Sequence, residues 1–362
     1  MRLTAPSTGL PADGTQRSML VDVLKVVCCQ LIVLHHFALY GPIGEHAART
    51  LPATLDFLLD QARLAVQVFL VIGGFLAARS LSARRRGARS AIWGRYLRLA
   101  PLLAVSLAMV LAATAALPGS TIPEWVTPWP SLLDIAAHLL LLQDILGVPS
   151  LSAGAWYVSI DFQLFALLAL LASLQGDDTR PVWNGAAPWV VAAAALASLW
   201  FFNRQPALEA WAPYFLSSYG LGVLAAWAGF SARCRGLFLL VFSLHLADGL
   251  LDPRPRLFLA LATALALWLA AGPGSRPGHR HRWLAFWSDA AYAVFVSHYA
   301  VIVGLTAWWA RGGPLDSWSA PVPLVLGWAL CLTVGAALHR WVEPLALGLG
   351  LGKLRKPARA KP

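Results

Sequence analysis

Charge is what this chain has least of: 12% of its 362 residues are Asp, Glu, Lys or Arg, against 58% hydrophobic ones. A soluble domain carries about 25% charged residues, so this balance excludes one and points to a chain solvated by lipid. Acid is scarcer than base, with 17 Asp and Glu against 28 Lys and Arg. In a soluble protein the net charge of +11 would raise nucleic acid as a partner. Here the cations sit in loops and tails, where orientation in a bilayer accounts for them and no nucleic acid is expected. Cysteine is sparse as well. Cys28, Cys29, Cys234 and Cys331 show neither zinc-type nor redox-type spacing, so no metal site is expected. The chain also lacks an internal repeat, a long linker and an evident cleavage site after its first apolar run. That run is therefore expected to remain as a helix.

What the sequence does have is apolar runs long enough to span a core of about 30 Å. They fall at roughly 19–40, 62–82, 96–117, 132–148, 157–174, 186–202, 213–229, 235–251, 256–272, 284–310 and 322–342. If all eleven crossed with the N-terminus inside, Arg276 to Arg282 and the tail Lys353 to Lys361 would lie outside, against the positive-inside rule. Demoting one run between Pro118 and Arg233 returns both to the cytoplasm. The run 132–148 is the choice, because it carries Asp134, His138, Gln143 and Asp144 and follows the Pro- and Trp-bearing stretch Ile122 to Pro130. The expectation is an all-α polytopic integral membrane protein with about ten transmembrane helices and one interfacial or re-entrant segment. Residues 1–18 form a polar cytoplasmic tail, 19–345 the helical membrane domain and 346–362 a basic cytoplasmic tail. Trp125, Trp129, Trp156, Trp183, Trp211 and Trp318 fall near predicted helix ends, as interfacial anchors do.

The first run departs from lipid chemistry. It holds Lys25, His35 and His36, and polar groups within a spanning helix usually face a bundle interior or a watery cavity. At about 100° per residue, His36 returns to within roughly 20° of Lys25 three turns on. Asp22 and Cys29 lie close to the same stripe. A snorkelling lysine and a core histidine are the plain alternatives, but neither requires this shared register.

The run Asp22-Val-Leu-Lys25, ten residues, then His36-Phe37 resembles the opening signature of the acyltransferase 3 family, in which an Arg or Lys precedes a His by that interval. The resemblance implies transfer of an acyl group, often acetyl from acetyl-CoA, to a hydroxyl of a cell-surface glycan or lipid-linked sugar. It also implies acyl-CoA as donor substrate with no bound cofactor, and the lipid bilayer of a bacterial inner (plasma) membrane as the setting. Further matches are looser. Val68 to Phe75 is similar to a family run ending in Ser-Gly-Phe, with Gly73 where Ser is usual; Gly73-Gly74 also fits close approach of another helix. Arg95 and Arg98, three apart before Pro101, are similar to an Arg-rich helix entry and suit CoA phosphates. Trp156, Ser159 and Asp161 resemble a Trp-Ser, acid, Phe signature; Asp161 is expected to cap its helix, pair with a cation or orient His36. Ser288 to His298 resembles a late Ser-Tyr, His motif, with Tyr292 and His298 six apart and so on different faces. Glu343-Pro344 closes the last helix, and Arg340 is expected to pair with Glu343 at i, i+3.

For acyl transfer, a base takes the hydroxyl proton and donors stabilise the oxyanion. His36 is the candidate base, with Asp161 or Asp22 holding its tautomer and His35 as the fallback. Lys25, Arg95, Arg98, Tyr292 and His298 are candidates for binding acyl-CoA. Trp156, Ser159 and Glu343 are supporting candidates, and Cys29 keeps a covalent route open. The rival class is a transporter or flippase using Lys25, His36 and Asp161 as a substrate or proton path, and no paired halves with broken helices support it.

Overall fold

The computed structural model describes residues 18–83, 87–119, 122–174, 181–272, 281–313, 318–319, 321–345 and 348. The expected N-terminal and C-terminal tails, Arg84 to Arg86 and Arg276 to Arg280 lie outside the described residues. Within them the chain forms thirteen α-helices and no strand. They are α1 (Met19–Leu39), α2 (Pro42–Ala48), α3 (Pro52–Asp60), α4 (Ala65–Ala83), α5 (Ala88–Ala115), α6 (Leu132–Leu139) and α7 (Ala155–Ser173). The second half adds α8 (Ala187–Trp200), α9 (Ala212–Ala228), α10 (Ala232–Leu251), α11 (Pro255–Ala270), α12 (Arg282–Ala310) and α13 (Pro321–Ala337). Seven segments, containing α1, α4, α5, α7, α10, α12 and α13, are long and apolar enough to cross a membrane. The shorter α8, α9 and α11, of 14, 17 and 16 residues, occupy three more of the expected runs. The architecture is that of an all-α polytopic membrane protein.

Local sequence sets the ends of these helices. Proline stands in the first turn of α2, α3, α8, α9 and α11, where its missing N–H has no intrahelical role. Gly41, at φ +80°, turns the chain between α1 and α2 in a conformation that side-chain-bearing residues rarely adopt. The short α2 and α3 then fold back over the end of α1.

Two helices are interior. In α9 every residue except Pro213 and Leu216 is buried, and α12 is buried along most of its 29 residues. Small residues let α9 approach α4. A Cβ added at Gly74 would stand 2.0 Å from the Tyr219 carbonyl oxygen, and one at Gly222 would stand 2.0 Å from that of Val71. The glycine pair 73–74 therefore marks close helix contact, one of the two readings its sequence allowed.

The run 132–148 does not form a spanning helix. Its helical part, α6, has eight residues and opens on a capping box between Ser131 and Asp134; turns follow. These turns dip into the bundle. Gln143 donates to the Ala155 carbonyl at 3.2 Å and to Ser159 Oγ, and Gly154 packs against the Phe295 carbonyl, near the middle of α12. The segment is thus re-entrant, and α7 starts within the bundle at Ala155, beside the middle of α12. Half-buried Trp156 packs there on Phe215, with ring centroids 5.8 Å apart.

Two expectations follow. Gly74→Ala or Gly222→Ala drives a methyl group into backbone, which costs about 1–3 kcal/mol or more; Gly236, with open space around it, tolerates the same change. Unfolding of the detergent-solubilised variants in SDS measures both. In the re-entrant segment, His138 Nδ1 donates to the Asp134 carbonyl at 2.7 Å and Nε2 accepts from the Leu151 amide at 3.0 Å. The first bond survives protonation, but the second needs the neutral ring, and burial holds His138 below the ordinary histidine value. The unfolded chain therefore binds the proton first, and this contribution to stability, full above about pH 6.5, is lost as pH falls through the lowered folded value. Exchange protection of the Leu151 amide, corrected for intrinsic rate, is expected to fall over that window; constant protection contradicts it.

Candidate functional site

The polar stripe of α1 faces α12 along its length. Ser288 Oγ donates to Asp22 Oδ1 at 2.6 Å, Lys25 Nζ donates to the Ser288 carbonyl at 2.5 Å, and Cys29 Sγ donates to the Ala291 carbonyl at 3.4 Å. At the far end, His36 Nδ1 lies 2.7 Å from His298 Nε2, with the two rings within 10° of coplanar. Lys25 and His36 share a face as their spacing requires, about 16 Å apart along the helix at 1.5 Å per residue. The seam also explains the burial of these groups, since each of these side chains meets a partner from α12 instead of lipid.

The histidine pair has a determined polarity. His298 Nδ1 lies 2.5 Å from the Phe295 carbonyl, which can only accept, so Nδ1 carries the hydrogen. In the neutral ring Nε2 then accepts, and His36 Nδ1 must donate to it. That leaves the lone pair of His36 on Nε2. The partner of His36 is therefore His298, in place of the expected Asp161 or Asp22. His35 turns the other way, its Nδ1 donating to the Leu58 carbonyl of α3 at 2.8 Å.

Asp161 has a different partner. It is six residues past the start of α7, too far in to cap that helix, and it forms an ion pair with Arg95 of α5. The pair is packed by aromatic rings, with the Arg95 guanidinium 5.4 Å from the Phe165 ring centroid. Gly73 lies against it, since a Cβ there would stand 2.8 Å from Asp161 Oδ1. The pair holds Arg95 against α7, and removing one member of it strands the other charge. Arg98, one turn on, is exposed.

The remaining candidates divide between the seam and its supports. Tyr292 donates to the Leu99 carbonyl of α5 at 2.8 Å, on a different face of α12 from His298. Ser159 anchors the re-entrant turns through Gln143. Glu343 accepts from His339 Nδ1 at 2.6 Å, an i, i+4 pair, rather than from Arg340 at i, i+3; the chain here winds as a π-helix over Leu338–Val342. Tyr40 stacks on His36 with centroids 5.5 Å apart, and Trp125 and Tyr299 pack around Tyr40. This aromatic roof went unread in the sequence; its signal was the tyrosine one turn past His36. Among the described residues no group of His, Cys, Asp and Glu could hold a metal ion.

The acyltransferase 3 family model, described as an acyltransferase domain, matches residues 20–340. A stretch of the chain is similar to the regulator of hypoxia-inducible factor 1 from Caenorhabditis elegans, at 26% identity over 44% of this chain and 36% of the relative. The chain thus spans little more than a third of that protein's length. No solved structure matches. With a family model covering nearly its whole length and the helices of a membrane protein, the chain belongs to the acyltransferase 3 family.

Proposed function

We propose that this membrane acyltransferase moves an acyl group, acetyl in the first instance, from cytoplasmic acyl-CoA to a hydroxyl of a cell-surface glycan or lipid-linked sugar, with His36 as general base. The observation that carries the reading is the tautomer of His36, whose Nε2 lone pair is left available by the bond to His298. Nε2 takes the acceptor hydroxyl proton as the oxygen attacks the thioester carbonyl; the tetrahedral intermediate then collapses, the C–S bond breaks and the proton passes to the CoA thiolate. His298 is a positioning residue. It holds His36 in one orientation and accepts a hydrogen bond that strengthens as His36 becomes charged, the role a carboxylate takes in serine hydrolases.

In this reading the inner end of the seam, at Lys25, together with exposed Arg98, receives the CoA phosphates. Lys25 lies six residues from the start of α1 and His36 seventeen, so the thioester travels outward past Ser288 and the Cys29 level to meet the acceptor. Direct transfer is favoured over an acyl-enzyme, because Cys29 is fully buried and its thiol is committed to the Ala291 carbonyl. The protein acts in the bacterial inner membrane with both termini cytoplasmic, the orientation that places its basic loops inside.

Membranes containing the protein are expected to release free thiol from radiolabelled acetyl-CoA and to label a glycan or lipid fraction. At matched expression, His36→Ala lowers the rate by about 100-fold or more, in the range of general-base catalysis. His298→Leu, which removes the acceptor for Nδ1–H, lowers kcat by about 10-fold or more and alters the pH profile, while KM for acetyl-CoA holds. If thiol release by His36→Ala equals that of the wild type, the base assignment is wrong.

A further inference from the structure

The end of the bundle nearest His36 carries a second polar site outside the seam. Asp60, Gln61, Arg63 and Leu64, at the end of α3 and just after it, face Pro253, Arg254, Pro255 and Arg256, at the start of α11, across a cleft of about 400 Å³. Its cations are fixed in place. Asn203 ties the wall together, accepting from Arg254 Nη1 on its side chain at 3.1 Å and from Arg256 Nη2 on its carbonyl at 2.8 Å, while donating to the Tyr214 carbonyl at 3.1 Å. Arg256 also donates to Tyr214 Oη and lies 5.2 Å from that ring's centroid.

The charges do not cancel where the cleft opens. Asp248 and Asp252 take up Arg204 and Arg254 behind the wall. Among the described residues neither Arg63 nor Arg256 forms an ion pair, although the Asp60 carboxylate also lines the cleft; Arg63 donates to the Asp60 carbonyl, and Arg256 to the neutral groups above. The start of α11, which has no side-chain cap, adds the positive end of a helix dipole to the same wall. Membrane topology does not account for these arginines. Arg49, Arg63, Arg204, Arg254, Arg256 and Arg311 are the six cations on the outer side in the orientation adopted above, where the positive-inside rule disfavours them, and four of the six gather here.

The cleft also adjoins the site. Leu58, whose carbonyl holds His35, precedes Asp60 by two residues, about 3 Å of helical rise. We propose that this cleft binds the phosphate or pyrophosphate group of the acceptor on the outer side of the membrane, between Arg63 and Arg256, so that the sugar it carries reaches toward His36. Guanidinium pairs suit such oxyanions through charge-assisted bonds. This deepens the acyltransferase reading and rests on it for the word acceptor, whereas the anion site itself does not.

Pyrophosphate binding to the purified full-length protein in nanodiscs of neutral phosphatidylcholine tests the site without any acyl donor. The wild type is expected to bind it in a salt-sensitive way. Arg63→Gln, at an exposed position, and Arg256→Gln each weaken binding at least about 5-fold, whereas Arg311→Gln does not. Absent binding, or binding that neither substitution weakens, overturns the site. Repeating the titration with anionic phosphatidylglycerol separates two sources of the same phosphate chemistry. Unchanged affinity supports an acceptor site; competition that Arg63→Gln relieves makes it a lipid headgroup site and overturns the acceptor assignment. Thiol release from acetyl-CoA, measured in parallel on the wild type, reports independently on the acyltransferase reading.

Discussion

Within a bilayer, a polar atom that lacks a partner costs several kcal/mol, and the bond between His36 and His298 meets that constraint in the one way that leaves a lone pair usable. The Phe295 carbonyl fixes the hydrogen on His298, His298 fixes the hydrogen on His36, and the free nitrogen follows. No carboxylate is involved in this chain of three groups.

The rest of the architecture keeps that pair in register. α1 meets α12 through Asp22, Lys25, Cys29 and His36, so rotation of either helix breaks several bonds together. Around the seam, Tyr292 pins α12 to α5, and Arg95 with Asp161 pins α5 to α7. The re-entrant turns bring the start of α7 to Phe295, whose carbonyl holds His298. α12 runs twelve residues beyond His298, about 18 Å at 1.5 Å per residue, so the histidines lie below that end of the bundle, under α2, α3 and the ring of Tyr40.

Helical periodicity is a local property, and what depended on it was legible: Lys25, Asp22, Cys29 and His36 on one face, and Tyr292 and His298 on different ones. Composition was legible too: Asp134, His138, Gln143 and Asp144 marked the run 132–148, which proves to be no spanning helix. Partner identity was not. Lipid-facing and buried residues are both apolar in a membrane helix, so nothing in α1 announces that α12 rather than α7 lies opposite it. Asp161 accordingly kept three readings, a cap, a cation partner and a support for His36, and only the structure selects the cation, Arg95. The burial of α9 was likewise hidden, because its evidence lies in small residues such as Gly220 and Gly222 whose meaning depends on the neighbour. Glu343 shows a third kind of loss, for α-helical spacing allows both Arg340 at i, i+3 and His339 at i, i+4, and only the structure decides between them.

The most direct test of this account is the protonation pattern of the histidine pair, read by solid-state NMR on full-length protein in lipid with nitrogen-15-labelled histidine, using His36→Ala and His298→Ala for assignment. The structure predicts a hydrogen on Nδ1 of both His36 and His298, an unprotonated Nε2 on each ring, and a coupling across the hydrogen bond from His36 Nδ1 to His298 Nε2. A hydrogen on Nε2 of His36 in the resting protein, with Nδ1 bare, would contradict it, because the lone pair would then be spent on His298 and unavailable to an acceptor hydroxyl.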